Sequence, residues 1–181
     1  MTIYTTQQLK DRCKALGLQW PTKIHIVGIR NKSPKPNEFN DNFYLCNGDS
    51  RLFLGQGTTI PGTYWLLNLL NVKGTAVLKA DASYNYKLGL HNGYEALVQA
   101  GPVTVFRDND KDLIAEETNV LDTGWFGINI HRAGKNFIAK FIDKFSAGCQ
   151  VWQDPVLFGS VIELIKSSKQ PIIPYTLLKE F

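Results

Sequence analysis

Residues 124–152 read GWFGINIHRAGKNFIAKFIDKFSAGCQVW. Their reading decides the fold. GWFGINIHR alternates, with Ile128 and Ile130 on one side and Asn129 and His131 on the other, as in a half-buried strand. Ala133-Gly134 then lets the chain turn. KNFIAKFIDKF fits two patterns: Phe137, Ile138, Phe141, Ile142 and Phe145 make a helical stripe, but the Phe and Ile content also suits a strand. The stretch closes on SAGCQ, where small residues precede a thiol.

Working outward, the segments before it are short and regularly punctuated by Gly, Asn and Asp: KIHIVGIR, FYLCNG, RLFLG, TYWLLNLL, GTAVLKA, SYNYKLGLH, YEALVQ and PVTVFRD. Each reads as a strand. NKSPKPNEFNDN is a polar, Pro-rich loop. A helix is expected at each end. Near the N-terminus, over residues 6–16, Thr5 and Gln8 form a capping box, Leu9, Cys13 and Leu16 share a stripe, and Gly17 follows. Over residues 155–168, Asp154 is the cap, Pro155 opens the first turn, and Leu157, Phe158, Val161, Ile162 and Ile165 form the stripe. IIPYTLL is a last extended segment. The fold class is mostly β with flanking helices. Residues 1–22 form an N-terminal helical appendage and 23–181 a single domain, with the Cys149 turn at a sheet edge.

The composition narrows the function classes. The chain has 181 residues, 44% hydrophobic and 20% charged, which suits a packed domain and excludes disordered and low-complexity classes. Its longest apolar stretch, residues 64–72, is too short and polar for a membrane span. No signal peptide is visible. The net charge of +4 is not clustered as a nucleic-acid surface requires. Cys13, Cys46 and Cys149 include no CxxC pair, so free thiols are expected and a four-cysteine zinc site is not. In RDNDKDL, Asp108, Asp110 and Asp112 match positions one, three and five of a calcium loop. Leu113 stands where a Gly is wanted and Asn119 where a Glu is wanted, so the run reads as an acidic turn.

Chemistry concentrates at Cys149. A thiol nucleophile needs a base within reach, and His131 lies 18 residues upstream (149 − 131). Ala147 and Gly148 leave backbone N–H groups uncovered beside the sulfur, as an oxyanion site requires. Cys13 and Cys46 read as small core residues. Asn129 shares the strand face of His131. His91 is a second candidate for the site. Arg107 and Arg132 offer forks for a carboxylate, and Tyr64, Trp125 and Trp152 are candidate groove aromatics.

The order His131, then Ser146-x-Gly148-Cys149, resembles the L,D-transpeptidases of the YkuD-like family, whose signature is a His, a connection of similar length, and [ST]-H-G-C. TTIPGTY, residues 58–64, resembles the family's T-P-x-G-x-[FY] strand entry, with Pro61 and Gly62 adjacent here. The likeness covers residues 50–152. Two positions depart from it: Ala147 replaces the second His, and Val151 replaces a polar residue after the Cys, changing contacts that hold the donor peptide and the oxyanion in the family.

The resemblance implies a β-sandwich or barrel and a cysteine enzyme of peptidoglycan stem peptides, either hydrolase or transpeptidase, without a cofactor. Cys149 would be the nucleophile, His131 the base, and Gly148 with Cys149 the oxyanion donors. Ser146, Gln150, Asn129, Arg132, His91 and Tyr64 would bind substrate. Peptidoglycan is then the partner, and the protein acts in the periplasm or cell wall, delivered by lysis, virion or secretion, or carrying a signal already removed. The alternative is an inactive wall-binding or virion structural module of the same fold.

Overall fold

The structure, a computed structural model, describes residues 2–33, 35, 37–117 and 120–181. Among the described residues, three helices, α1 (Thr6–Ala15), α2 (Thr63–Leu67) and α3 (Pro155–Ser168), accompany eleven strands. The strands are β1 (Ile24–Arg30), β2 (Asp41–Asn47), β3 (Ser50–Thr58), β4 (Thr75–Leu78), β5 (Ala82–His91), β6 (Tyr94–Gln99), β7 (Val103–Asp108), β8 (Leu121–Gly124), β9 (Ile130–Arg132), β10 (Gln150–Trp152) and β11 (Ile173–Lys179). Eight strands close a barrel in the order β1-β11-β5-β6-β9-β10-β3-β2, and β4-β7-β8 form a small second sheet. Closure leaves the barrel strands no open edge.

The pattern in β1 shows how the barrel is covered. Ile24 and Ile26 enter the main core with Phe43, Tyr86, Trp152 and Tyr175. Val27 and Ile29 face the other way and are buried under α1 with Leu9, Cys13 and Cys46. The alternation is genuine, but both faces are dry. The α1 capping box forms as expected, with the Gln8 N–H donating to Thr5 Oγ1 and the Thr5 N–H donating to Gln8 Oε1. Asp154 caps α3 through the N–H groups of Val156 and Leu157. Lys169, in the left-handed region at φ 53°, ends it.

Three sequence expectations are corrected. TYWLLNLL is not a strand: Thr63–Leu67 form α2, entered through extended Gly62, whose N–H donates to the Ser146 carbonyl. Asn68 takes the Tyr64 carbonyl with both its backbone and its side-chain N–H, which ends the helix. GWFGINIHR is not one strand either. Gly127 sits at φ 71°, and Gln99 Oε1 accepts the N–H groups of Phe126 and Ile128. These bonds separate β8 from β9. KNFIAKFIDKF is neither helix nor strand. Asn37 accepts the Ile142 N–H on its carbonyl and the Asp143 N–H on its side chain, holding an irregular crossover.

That crossover follows from the sheet. β9 and β10 are parallel, so the chain must travel back before re-entering, and parallel pairs need a connection of roughly a dozen residues or more.

Candidate active site

The register of β9 on β10 places the candidate pair. Gln150 faces Ile130 and Val151 faces His131, and the Gln150 N–H donates to the Asn129 carbonyl at 2.8 Å. Ile130 and Trp152 point into the barrel core. By alternation, Asn129, His131, Cys149 and Val151 share the opposite face. Cys149, one residue before β10, and His131, on β9, are thus diagonal neighbours, and both line one cleft.

The Cys149 turn is built by its neighbours. Ser146 Oγ donates to the Cys149 carbonyl at 2.8 Å and accepts the Gly148 N–H at 3.1 Å. Gly148 has φ 119°, and a Cβ there would lie 2.5 Å from the Ala76 carbonyl oxygen. Conformation and close approach both require glycine. The thiol donates to the Gly127 carbonyl at 3.5 Å and accepts the Asn129 N–H at 3.4 Å. Burial pushes it up from the ordinary 9.0 to about 11, against the Asn129 N–H, which lowers it. The resting group is a neutral thiol.

His131 is 2% exposed. Its Nδ1 lies 2.7 Å from the Arg132 carbonyl, which can only accept, so Nδ1 carries the proton. Tyr94 Oη is 3.2 Å from the same nitrogen. Nε2 is left as a lone-pair acceptor with no hydrogen-bond partner among the described residues. Burial, and then the charge of His91, push His131 down to about 3. The His91 and His131 rings stack with centroids 4.1 Å apart. His91 is oriented by Asn129, whose Nδ2 donates to its Nδ1 at 3.1 Å.

Cys149 stands where two parts of a cleft meet. One part, about 460 Å³, is walled by Trp65, Thr75, Ala76, Arg107, Trp125 and Phe126. The other, about 390 Å³, is walled by Tyr94, His131, Ala133, Lys144 and Phe145. His91, Trp65, Leu70, Ala147 and Cys149 belong to both. No Asp or Glu among the described residues lines either part.

Cys149, His131 and His91 therefore meet at the cleft, with Gly148 and Asn129 behind them. Other expected residues lie elsewhere. Ser146 is fully buried, with its hydroxyl spent inside the turn. Gln150 faces the barrel interior, accepting from Tyr175 Oη at 2.7 Å and donating to the Gly148 carbonyl at 3.1 Å. Arg132 lies over the Tyr94 ring at 4.1 Å and donates to the Gly134 carbonyl. Tyr64 sits under the Lys144 ammonium and edge-on to Trp65. Trp152 is wholly buried in the core. Arg107 does line the cleft, but it is 4% exposed, paired with Asp122 at 3.2 Å and stacked on Phe126.

Tyr94 and Trp65 line the cleft without having been expected there. Tyr94 had a signal. In HNGY, Asn92 and Gly93 take φ of 49° and 81°, a two-residue hairpin turn that pairs His91 with Tyr94.

The acidic run makes turns. Asp110 accepts the Asp112 N–H, Asp112 the Ile114 N–H, and Asp108 the Glu116 N–H. No group of three metal-ligating side chains gathers among the described residues, and Asn119 lies outside them.

No family model, curated protein or solved structure matches the chain.

Proposed function

We propose that the protein is a cysteine enzyme of the L,D-transpeptidase kind, acting on peptidoglycan stem peptides through an acyl-enzyme. The observation that carries this reading is His131. Its Nδ1 proton is held on the Arg132 carbonyl, its Nε2 is buried with no hydrogen-bond partner among the described residues, and its side chain lines the same cleft as Cys149. That is the tautomer a general base for a neighbouring thiol needs.

The resting thiol and imidazole are both neutral, so the proton moves during attack rather than before it. Cys149 leaves the Gly127 carbonyl, its proton passes to His131 Nε2, and the sulfur bonds to the substrate carbonyl carbon. The Cys149 N–H, which no acceptor among the described residues takes, is the amide beside the new oxyanion. The Gly148 N–H joins it only by giving up Ser146 Oγ. Collapse breaks the C–N bond. The imidazolium gives its proton to the leaving amine and a thioester remains. Water or an acceptor amine then attacks, its proton returns through His131 to sulfur, and the product is a carboxylic acid or a new amide. The cleft suits an anionic peptide, since Lys144 lines it and no carboxylate among the described residues does.

The test is digestion of purified sacculi, with products identified by mass spectrometry. Wild type should release or join stem peptides and Cys149→Ser should not. A second reading, an inactive wall-binding or virion module, is favoured by one observation: the thiol is raised to about 11 and bonded to a backbone carbonyl. Sacculus binding with unchanged fragments in both proteins would select it. No helix among the described residues is long and apolar enough to cross a membrane. Action in the periplasm or cell wall belongs to the same proposal.

A further inference from the structure

The crossover between β9 and β10 has two faces. Ala139 and Ile142 turn inward and pack with Phe39, Cys149 and Val151. Phe137, Ile138 and Phe141 turn outward and are 59%, 60% and 61% exposed. None of the three lines the cleft. Large apolar side chains kept in water on one short segment mark a contact surface.

Charge and area choose the occupant. Lys135, Lys140 and Lys144 interleave with the apolar residues, and Asp143 is the one acidic residue from 135 to 145. The neighbouring loop adds no net charge, because Lys35 pairs with Glu38 at 3.8 Å. The three apolar side chains expose on the order of 400 Å². A stable protein partner buries about 800 Å² on each side, so the patch is too small for a second copy or a large protein interface. Shallow insertion among lipid headgroups needs no more than such a patch beside a few lysines.

We propose that residues 135–144 form a docking surface for an anionic phospholipid bilayer. Phe137, Ile138 and Phe141 enter the headgroup region while Lys135 and Lys140 pair with lipid phosphates. The segment joins His131 to Cys149 in sequence, so docking would hold the cleft close to the membrane surface. The proposal does not depend on thiol chemistry.

The test is pelleting of the protein with sucrose-loaded vesicles of phosphatidylcholine alone or with about one quarter phosphatidylglycerol. Wild type should bind the anionic vesicles about tenfold more tightly, and should lose most of that preference between roughly 50 and 500 mM salt as charges are screened. Phe137→Ser/Ile138→Ser/Phe141→Ser should abolish pelleting. Lys135→Gln/Lys140→Gln, whose exposed substitutions leave the fold alone, should remove the anionic preference. Cys149→Ser should pellet like wild type, which separates this surface from the enzymatic reading. Wild type that pellets no better with anionic vesicles than without them overturns the proposal. So does a lysine variant that binds like wild type, or a concentration-dependent dimer that the serine variant abolishes.

Discussion

The His91 ring lies face to face with the His131 ring, centroids 4.1 Å apart and planes within 15°. The pair comes from two different elements, the end of β5 and the middle of β9. Each imidazole limits the other. The stack keeps water from His131, and a charge on His91 opposes a charge on His131. His91→Phe keeps a ring in place but removes the charge, so the His131 titration midpoint should rise a little from about 3. His91→Ala also opens the ring to solvent, so the midpoint should rise further, toward the ordinary 6.5. NMR titration of the His131 ring protons measures both. An unchanged midpoint in the alanine variant would contradict the stack.

The same depressed pKa makes folding sensitive to acid. A base whose folded pKa lies below its unfolded value contributes stability above the unfolded pKa, and loses it as pH falls through the folded one. For His131 the window runs from 6.5 down to about 3. Wild type should lose about 3 kcal/mol relative to His131→Gln between pH 7 and pH 4. Other titrating groups, such as buried Asp41, are present in both proteins and cancel in the difference. Denaturant unfolding at the two pH values measures it, and equal slopes would show that His131 is not buried neutral.

Gly148 and Gly93 separate two costs that sequence alone merges. Both have positive φ, 119° and 81°. Nothing lies within 4 Å of a Cβ built on Gly93, whereas one on Gly148 meets the Ala76 carbonyl and the Ile128 side chain. Gly93→Ala should cost about 1 kcal/mol, from backbone strain alone. Gly148→Ala should cost on the order of 3 kcal/mol or more, because backbone must also move. Chemical denaturation of the two variants side by side gives the contrast.

What was legible in the sequence was local. Caps on α1 and α3, and the alternation of Asn129 and His131, are set by neighbours in the chain. The parallel pairing of β9 with β10 was not legible, because it is set by barrel closure, and it is what puts Cys149 beside His131. The sequence also offered Ser146 and Gln150, the polar residues of the thiol turn, as substrate ligands. Burial divides them: Ser146 and Gln150 spend their hydrogen bonds inside the turn and the barrel, and only the fold decides which side of β10 is dry. The stripe of Phe137, Ile138, Phe141, Ile142 and Phe145 misled for a related reason. Its spacing suits a helix, yet Asn37, about a hundred residues earlier, takes the backbone donors a helix would use.

The last prediction concerns how the proposed pair works. In a resting thiolate–imidazolium pair Cys149 would react with iodoacetamide at pH 6. The structure instead holds a neutral thiol at about 11 beside a neutral imidazole at about 3. Alkylation should therefore be slow at pH 6 and 7 and should climb toward pH 10. His131→Ala should change this little, since His131 does not set the resting thiol's charge. Turnover should behave differently. If the proton reaches Nε2 only as sulfur attacks, then Cys149→Ser and His131→Ala should each remove most sacculus-digesting activity. The double variant should be little worse than either, because the two act in one step. Tyr94→Phe, which removes a contact to Nδ1 while the Arg132 carbonyl remains, should cost about tenfold or less. Fast alkylation at pH 6 would place a thiolate in the resting site. Full activity in His131→Ala would remove the base from the reaction and leave the buried Nε2 without a catalytic role.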